Sequence, residues 1–397
     1  MGKNRATGSV PVSDNHTGQE GGTLPDTGAT EAPQEIVLLG GSGDVGTRLS
    51  RLLLENSNAT VTTVSRRKNK DSDQFGGRLR HVSYDLSQPD MLDTPANALV
   101  INLTEVTPPT YAKQVISAGG WWLESSATPA YLGAIEAVLA DISSSGTAIL
   151  GVGAAPGLTN LLAAEILAKS PDTAQIDIGV EMGMGRHYGA AATEWFLGAA
   201  GKPYPVIIDR NLTEVKPGDL KRRFSFREGG PLRRAIGYGF AEQKLIAERS
   251  EKRLKTVRSF VAVDPAWMTG SLALMLGIGL GPAIGRNARK IAKWMLRTPA
   301  LGQAHTRLIA EGFDETGRMT GRVRVETGDQ AEATAAIILA VFLKALTDRG
   351  ASQPSVTAIT DHLSLEAALE VLHRALPETR FSHSFVDKSG EAAGPSK

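Results

Sequence analysis

The stretch Ile36-Val37-Leu38-Leu39-Gly40-Gly41-Ser42-Gly43-Asp44-Val45-Gly46 decides how the rest of this chain is read. It places a GxGxxG pattern at positions 41, 43 and 46. With 43 glycines in 397 residues, chance alone supplies roughly half a match per chain, so the pattern needs structural context. An apolar run, IVLL, leads directly into the glycines, and the amphipathic VGTRLSRLLLEN follows them. This order has a physical reason. Glycines let the backbone turn tightly and approach a pyrophosphate, while the first turn of a helix offers free N–H groups and a positive dipole end. Gly41, Ser42, Gly43, Asp44, Val45 and Gly46 are therefore the expected phosphate cradle.

Working outward, the apolar runs 36–40, 59–65, 79–86, 98–104, 121–125 and 147–153 alternate with helical patterns at 45–56, 110–118 and 129–143. Continuous rather than alternating apolar runs suit parallel strands buried on both faces. The alternation predicts an α/β domain over residues 35–156, a Rossmann doubly wound parallel sheet. From 157 to 386 the pattern predicts a second, α+β domain for substrate binding. Its elements are a helix over 158–169, strands at QIDIGVEMGMG, PYPVIID and DLKRRFSF, a hairpin over 306–327, and helices over 331–349 and 363–375. The last helices could pack back on the first domain. Residues 1–34 and 387–397 have the composition of a disordered leader and tail, and neither holds a signal-peptide apolar run.

The tip of the second strand selects the cofactor. NAD sites usually place an acid about 20 residues after the glycines, on the ribose 2′-OH. Here the strand ends in Ser65-Arg66-Arg67-Lys68. A carboxylate would repel a 2′-phosphate, whereas arginine clamps it, so NADP(H) is expected on Ser65, Arg66 and Arg67. Asp85 could meet the adenine amino group or cap a helix at 86–88. Asn102 and Thr104 end the fourth strand, at the crevice edge where a nicotinamide ribose should lie.

These motifs, with NLTEVTPPTYAKQVISAGGWWLESSA and GVGAAPGLTNLLAAEIL, resemble the saccharopine dehydrogenase NADP-binding domain and its relatives. The likeness covers about residues 35–168; beyond it, only MGRHYGAAATEWFLG and the helix from Gly328 fit the family. Where the family pattern has aspartate at the end of the fifth strand, this chain has Glu124. The family's "PGL-N" turn is Pro156-Gly157-Leu158-Thr159-Asn160. The resemblance implies hydride transfer, typically to or from an amino-acid-derived C–N bond, and a homodimer.

The protein must then supply orientation and a proton donor or acceptor. His187 and Tyr188 are candidates for the proton, Arg186 for a substrate carboxylate, and Glu194 for substrate binding; the same cluster could simply end a strand and cap a helix. Glu124 is a second acid/base candidate, or a helix N-terminal acid before Pro129. The sequence has no cysteine and no HExxH, Walker A or GxSxG motif, so no metal site or hydrolase is expected. A net charge of +1 argues against nucleic acid, and the expected setting is cytoplasmic.

One stretch departs from this frame. Residues 265–285 carry no charge, and in the following RNARKIAKWMLR the cations Arg286, Arg289, Lys290, Lys293 and Arg297 share one helical face. That reads as core or dimer contact, as peripheral membrane contact through 265–297, or, with five glycines and two prolines against it, as a spanning segment.

Overall fold

Strands buried on both faces form the centre of the first of two sheets, with the more exposed strand Leu79–Ser83 at one edge. β1 (Glu35–Leu39), α1 (Asp44–Glu55), β2 (Thr60–Ser65), β3 (Leu79–Ser83), β4 (Leu99–Asn102), α2 (Pro109–Ser117), β5 (Trp121–Glu124), α3 (Pro129–Leu139) and β6 (Thr147–Leu150) alternate along the chain. All strand pairs are parallel, in the order β3-β2-β1-β4-β5-β6. The order reverses between β1 and β4, which opens a crevice beyond their carboxyl ends. The computed structural model describes residues 35–67, 75–88, 92–142, 146–185, 190–250, 253–300, 302–347 and 356–386. The expected leader and tail lie outside these residues.

α4 (Leu158–Lys169) carries the chain to the second sheet. There follow β7 (Gln175–Gly183), α5 (Ala190–Ala199), β8 (Tyr204–Ile208), β9 (Asn211–Val215), β10 (Lys221–Phe224), β11 (Arg233–Gly237), α6 (Glu242–Arg249) and β12 (Thr256–Asp264). Next come α7 (Ala266–Gly277), α8 (Gly281–Arg286), α9 (Ala288–Met295), β13 (Thr306–Phe313), β14 (Met319–Thr327) and α10 (Gln330–Thr347). β15 (Val356–Ala358), α11 (Leu365–Ala375) and β16 (Arg380–Phe385) close the chain. The second sheet has the order β10-β11-β12-β7-β13-β14-β16, with the β8–β9 hairpin attached to β12. Only β7 and β12 run parallel.

Strand alternation divides β7 between two environments. Ile176, Ile178 and Val180 join the core under α4. Asp177 and Glu181 point the other way, into a lattice of ion pairs with Arg222, Arg258 and Arg307. Gly179 lies between them, and a Cβ there would meet Ile309, Phe226 and Phe224 at 2.7–3.1 Å. Its missing side chain lets Phe224 and Phe226 fold over the sheet.

β15, which no sequence signal marked, belongs to the first sheet, paired in parallel with β6, and α10 packs on α1, so the chain returns to the first domain late. The uncharged stretch 265–285 is not one helix: α7 ends at Gly277, Gly279 adopts φ +81°, and α8 follows. No described helix is long and apolar enough to cross a membrane.

Candidate functional site

The glycine turn sits at the switch point between β1 and β4. Gly40 has φ +81°, and a Cβ on Gly46 would lie 2.6–2.7 Å from the backbone of Gly41, so α1 can approach β1 this closely only through glycine. A Cβ on Gly41 would strike Thr63 of β2 at 2.6 Å. Gly43 is exposed at the N-cap of α1, and no side chain caps that helix. The N-terminal end of α1, where a helix offers N–H groups without intrahelical partners, therefore points at the crevice. Asp44 is turned aside by Arg48, which also reaches Glu332 of α10. Ser42 and Val45 are half-buried beside the turn.

At the tip of β2, the Ser65 hydroxyl donates to the Arg67 carbonyl at 2.8 Å and shapes the turn. Arg66 and Arg67 are exposed there. Asp85 accepts from the Ser87 amide and hydroxyl at 3.1 and 2.8 Å; residues 86–88 form a turn rather than a helix, so it closes that turn. Those bonds from Ser87, with the nearby Arg66 charge, hold its carboxyl below the usual range.

The ends of β4 and β5 enclose a polar network. The Asn102 amide donates to Glu124 at 2.9 Å and to the Tyr131 hydroxyl at 3.2 Å, and its carbonyl accepts from Thr107 at 3.1 Å. Trp122 Nε1 donates to the same Glu124 oxygen at 2.9 Å, while the Ser126 amide and hydroxyl donate to the other. Burial pushes the Glu124 carboxyl up to about 7 against the pull of these donors. Glu124 is 0% exposed, so it does not reach the crevice as an acid/base should. Its carboxyl ties β4 to β5 instead. The Asn102 side chain is likewise enclosed, whereas Thr104 is half-exposed and packs 3.6 Å from where a Gly40 Cβ would sit.

The second domain closes the other side of the crevice. Glu105, in the loop after β4, accepts from the amides of Ala127 and Thr128 at 3.1 and 2.9 Å, at the start of α3. The Thr128 hydroxyl in turn accepts from Trp195 Nε1 of α5 at 2.6 Å. The Ala241 amide donates to the Ala127 carbonyl at 2.9 Å. Trp195, Phe196, Tyr238 and Phe240 pack with ring centroids 4.9–6.0 Å apart, and Tyr238 donates to the Phe196 carbonyl. The rings form one packed cluster, with Tyr238 and Phe240 buried and Trp195 and Phe196 half-buried, tied to the start of α3 through Thr128. Sequence reasoning missed Glu105, Thr128, Trp195, Tyr238 and Phe240; Thr128 before Pro129 carries a helix-start signal, but the contact with Trp195 has no local signature. Glu194 is exposed on α5, next to Trp195. Arg186, His187 and Tyr188 lie outside the described residues. Among the described residues no group of three metal-ligating side chains occurs.

No protein-family model matches the chain, and no curated protein matches it by sequence. Solved structures do. Saccharopine dehydrogenase (L-Glu forming) from Saccharomyces cerevisiae in its apo form aligns over 88% of this chain and 100% of its own, at 13% identity and a TM-score of 0.55. Homospermidine synthase from Legionella pneumophila, in complex with NAD, aligns over 92% of this chain and 95% of its own, at 12% identity and a TM-score of 0.63. At these identities the likeness is one of fold. It bears out the Rossmann and α+β architecture and the saccharopine dehydrogenase-like arrangement read from the motifs.

Proposed function

We propose that this chain, built on the fold of saccharopine dehydrogenase, is an NADP(H)-dependent oxidoreductase acting on an amino-acid-derived C–N bond. One observation carries the cofactor reading: an uncapped glycine turn at the sheet's switch point beside an exposed Arg66-Arg67 tip that holds no acid. The residues fit the group, because Gly41 and Gly46 let β1, β2 and α1 close on one another and so bring the uncapped start of α1 to the switch point. The first-turn amides of α1 would hold the pyrophosphate, and Arg66 and Arg67 the 2′-phosphate. Thr104 borders the nicotinamide end. When bound, the nicotinamide would supply or accept the hydride.

The chain's own task is orientation, water exclusion and proton movement. The small-molecule substrate would lie beyond the strand ends, on the side of Trp195 and Thr128. Arg186 is proposed to hold its carboxylate, His187 or Tyr188 to move the proton, and Glu194 to border the substrate. The C–N assignment draws on the names of the two fold relatives, and a cytoplasmic homodimer is the assembly proposed with it. The half-buried rings of Trp195 and Phe196 also favour a second reading, reduction of a lipophilic C=C or C=O substrate.

Energy transfer from tryptophan to nicotinamide tests the proposal, since Trp195 is tied to Thr128 just beyond the end of β5. Wild type and Arg66→Ala are titrated with NADPH and NADH. Removing a charge-assisted phosphate contact costs about 1.5–3 kcal/mol, so the variant should lose ten- to hundredfold affinity for NADPH alone. Failure of both nucleotides to bind wild type at millimolar concentration would sink the oxidoreductase reading. Equal losses for NADPH and NADH would sink the phosphate clamp.

A further inference from the structure

The helices after β12 leave apolar side chains in solvent. α7 buries Thr269, Leu272, Ala273 and Leu276 beneath it. Its opposite face presents Trp267, Ser271, Leu274 and Ile278, spaced four, three and four residues apart, on a single stripe. Trp267 is 61% exposed, and Leu274 and Ile278 are each 66% exposed. Leu280, at the corner into α8, is exposed as well. That corner is held closely to the body: a Cβ on Gly201 would meet the Gly281 carbonyl at 2.8 Å.

α9, which follows α8, has an exposed face of its own. Its small apolar positions Ala288 and Ala292 are buried, and it packs against α5. The apolar side of this amphipathic helix is therefore consumed within the protein. What remains outside is Arg289, Lys290, Lys293 and Trp294, continuing through Arg286 before the helix and Arg297 after it, all exposed. Trp294 is 65% exposed. No carboxylate occurs from Pro265 to Ala310.

From this arrangement we infer that α7, α8 and α9 form a docking surface for an anionic lipid bilayer. Exposed tryptophans beside aliphatic side chains suit the headgroup–acyl boundary, where an amphipathic ring can bury its body and keep its N–H solvated. Lysines and arginines beside them suit anionic headgroups. Charge decides among occupants. A second copy would bring the same five cations to its own interface, whereas an anionic bilayer neutralises them. With α7 twelve residues long, the contact is peripheral rather than spanning.

The test is cosedimentation of the full chain with phosphatidylcholine vesicles, with and without phosphatidylglycerol. Wild type should partition onto the phosphatidylglycerol vesicles and remain free with phosphatidylcholine alone. Lys290→Glu/Lys293→Glu should weaken partitioning about a hundredfold or more. Trp267→Ser/Leu274→Ser/Ile278→Ser should weaken it at least about tenfold. All five positions are on the surface, and circular dichroism reports whether each variant is folded. Absence of wild-type binding to either vesicle overturns the inference, as does equal binding to both or binding that survives both sets of substitutions. A wild-type dimer that the triple serine variant converts to monomer in solution also overturns it, by giving the stripe to a second copy.

Discussion

Two buried glutamates show how donor chemistry decides what a carboxyl can become. Glu242, in the first turn of α6, accepts from the hydroxyls of Thr159 and Ser259 at 2.7 Å each, and burial pushes its carboxyl up to about 7. Both partners can rotate and accept instead, so a proton on Glu242 is easily housed. Glu124 faces three fixed donors, from Asn102, Trp122 and the Ser126 amide, and only the Ser126 hydroxyl can reverse. An acid raised in the folded state binds its proton more tightly there than in the unfolded chain. Stability should therefore be greatest below the ordinary value of 4.5 and decline as pH rises toward about 7. Glu242→Gln keeps both hydroxyl partners and removes the charge. Its urea midpoint should match wild type at acid pH and exceed it above neutrality, by up to roughly 3 kcal/mol. Glu124→Gln sets an NH₂ group against fixed donors and should lose roughly 1–3 kcal/mol at acid pH, a deficit that shrinks above neutrality where the wild-type carboxyl is itself charged in the interior. If Glu124→Gln matches wild type at acid pH as Glu242→Gln does, the distinction between rotatable and fixed donors is wrong.

Elements form where neighbouring backbones permit, and α1 is the clearest case. Gly46→Ala should force α1 away from Gly41, because its Cβ would have to sit 2.6 Å from the Gly41 Cα. Both the thermal midpoint and nucleotide affinity should fall; a variant that binds NADPH as wild type does would remove the close approach from the cofactor argument. This constraint was legible in the sequence, as were β1, β4, β5 and β6, because strands buried on both faces are continuous apolar runs. The start of α4 was legible through its turn: Gly157 has φ +132°, and the Asn160 side chain accepts from the Gly157 amide at 2.9 Å. Other elements left weaker marks. β12 (TVRSFVAVD) mixes polar residues with apolar ones because Arg258 serves the ion lattice and Ser259 serves Glu242. β15 has three residues, too few to show a period. The periodicity of α9 identified its cationic face, but no period states that α5 covers the other. Glu124 read as acid/base because its strand-end position is a catalytic one; Asn102, Trp122 and Ser126, which enclose it, converge on it only in three dimensions.

The two sheets share one hydrophobic core, which runs from Leu38 and Leu49 in the first domain through Leu158, Leu161, Leu162 and Ile166 of α4 to Ile176, Ile178 and Val180 of β7. α10 and β15 bring the chain back to the first domain after the second sheet is nearly complete. Neither sheet can unfold alone without exposing α4 or breaking the return. Calorimetry should show one cooperative transition, with the van't Hoff and calorimetric enthalpies equal. The consequence reaches the proposed cofactor site. A ligand on the glycine turn binds only the folded state, so NADPH at about a hundred times its Kd should add about 2.7 kcal/mol to the stability of the whole chain. Amide hydrogen exchange makes the argument specific: β7 and β12, remote from the turn, should slow by the same factor as β1 and β4. Protection confined to the first sheet, or two separated calorimetric transitions, would mean that the shared core does not couple the domains.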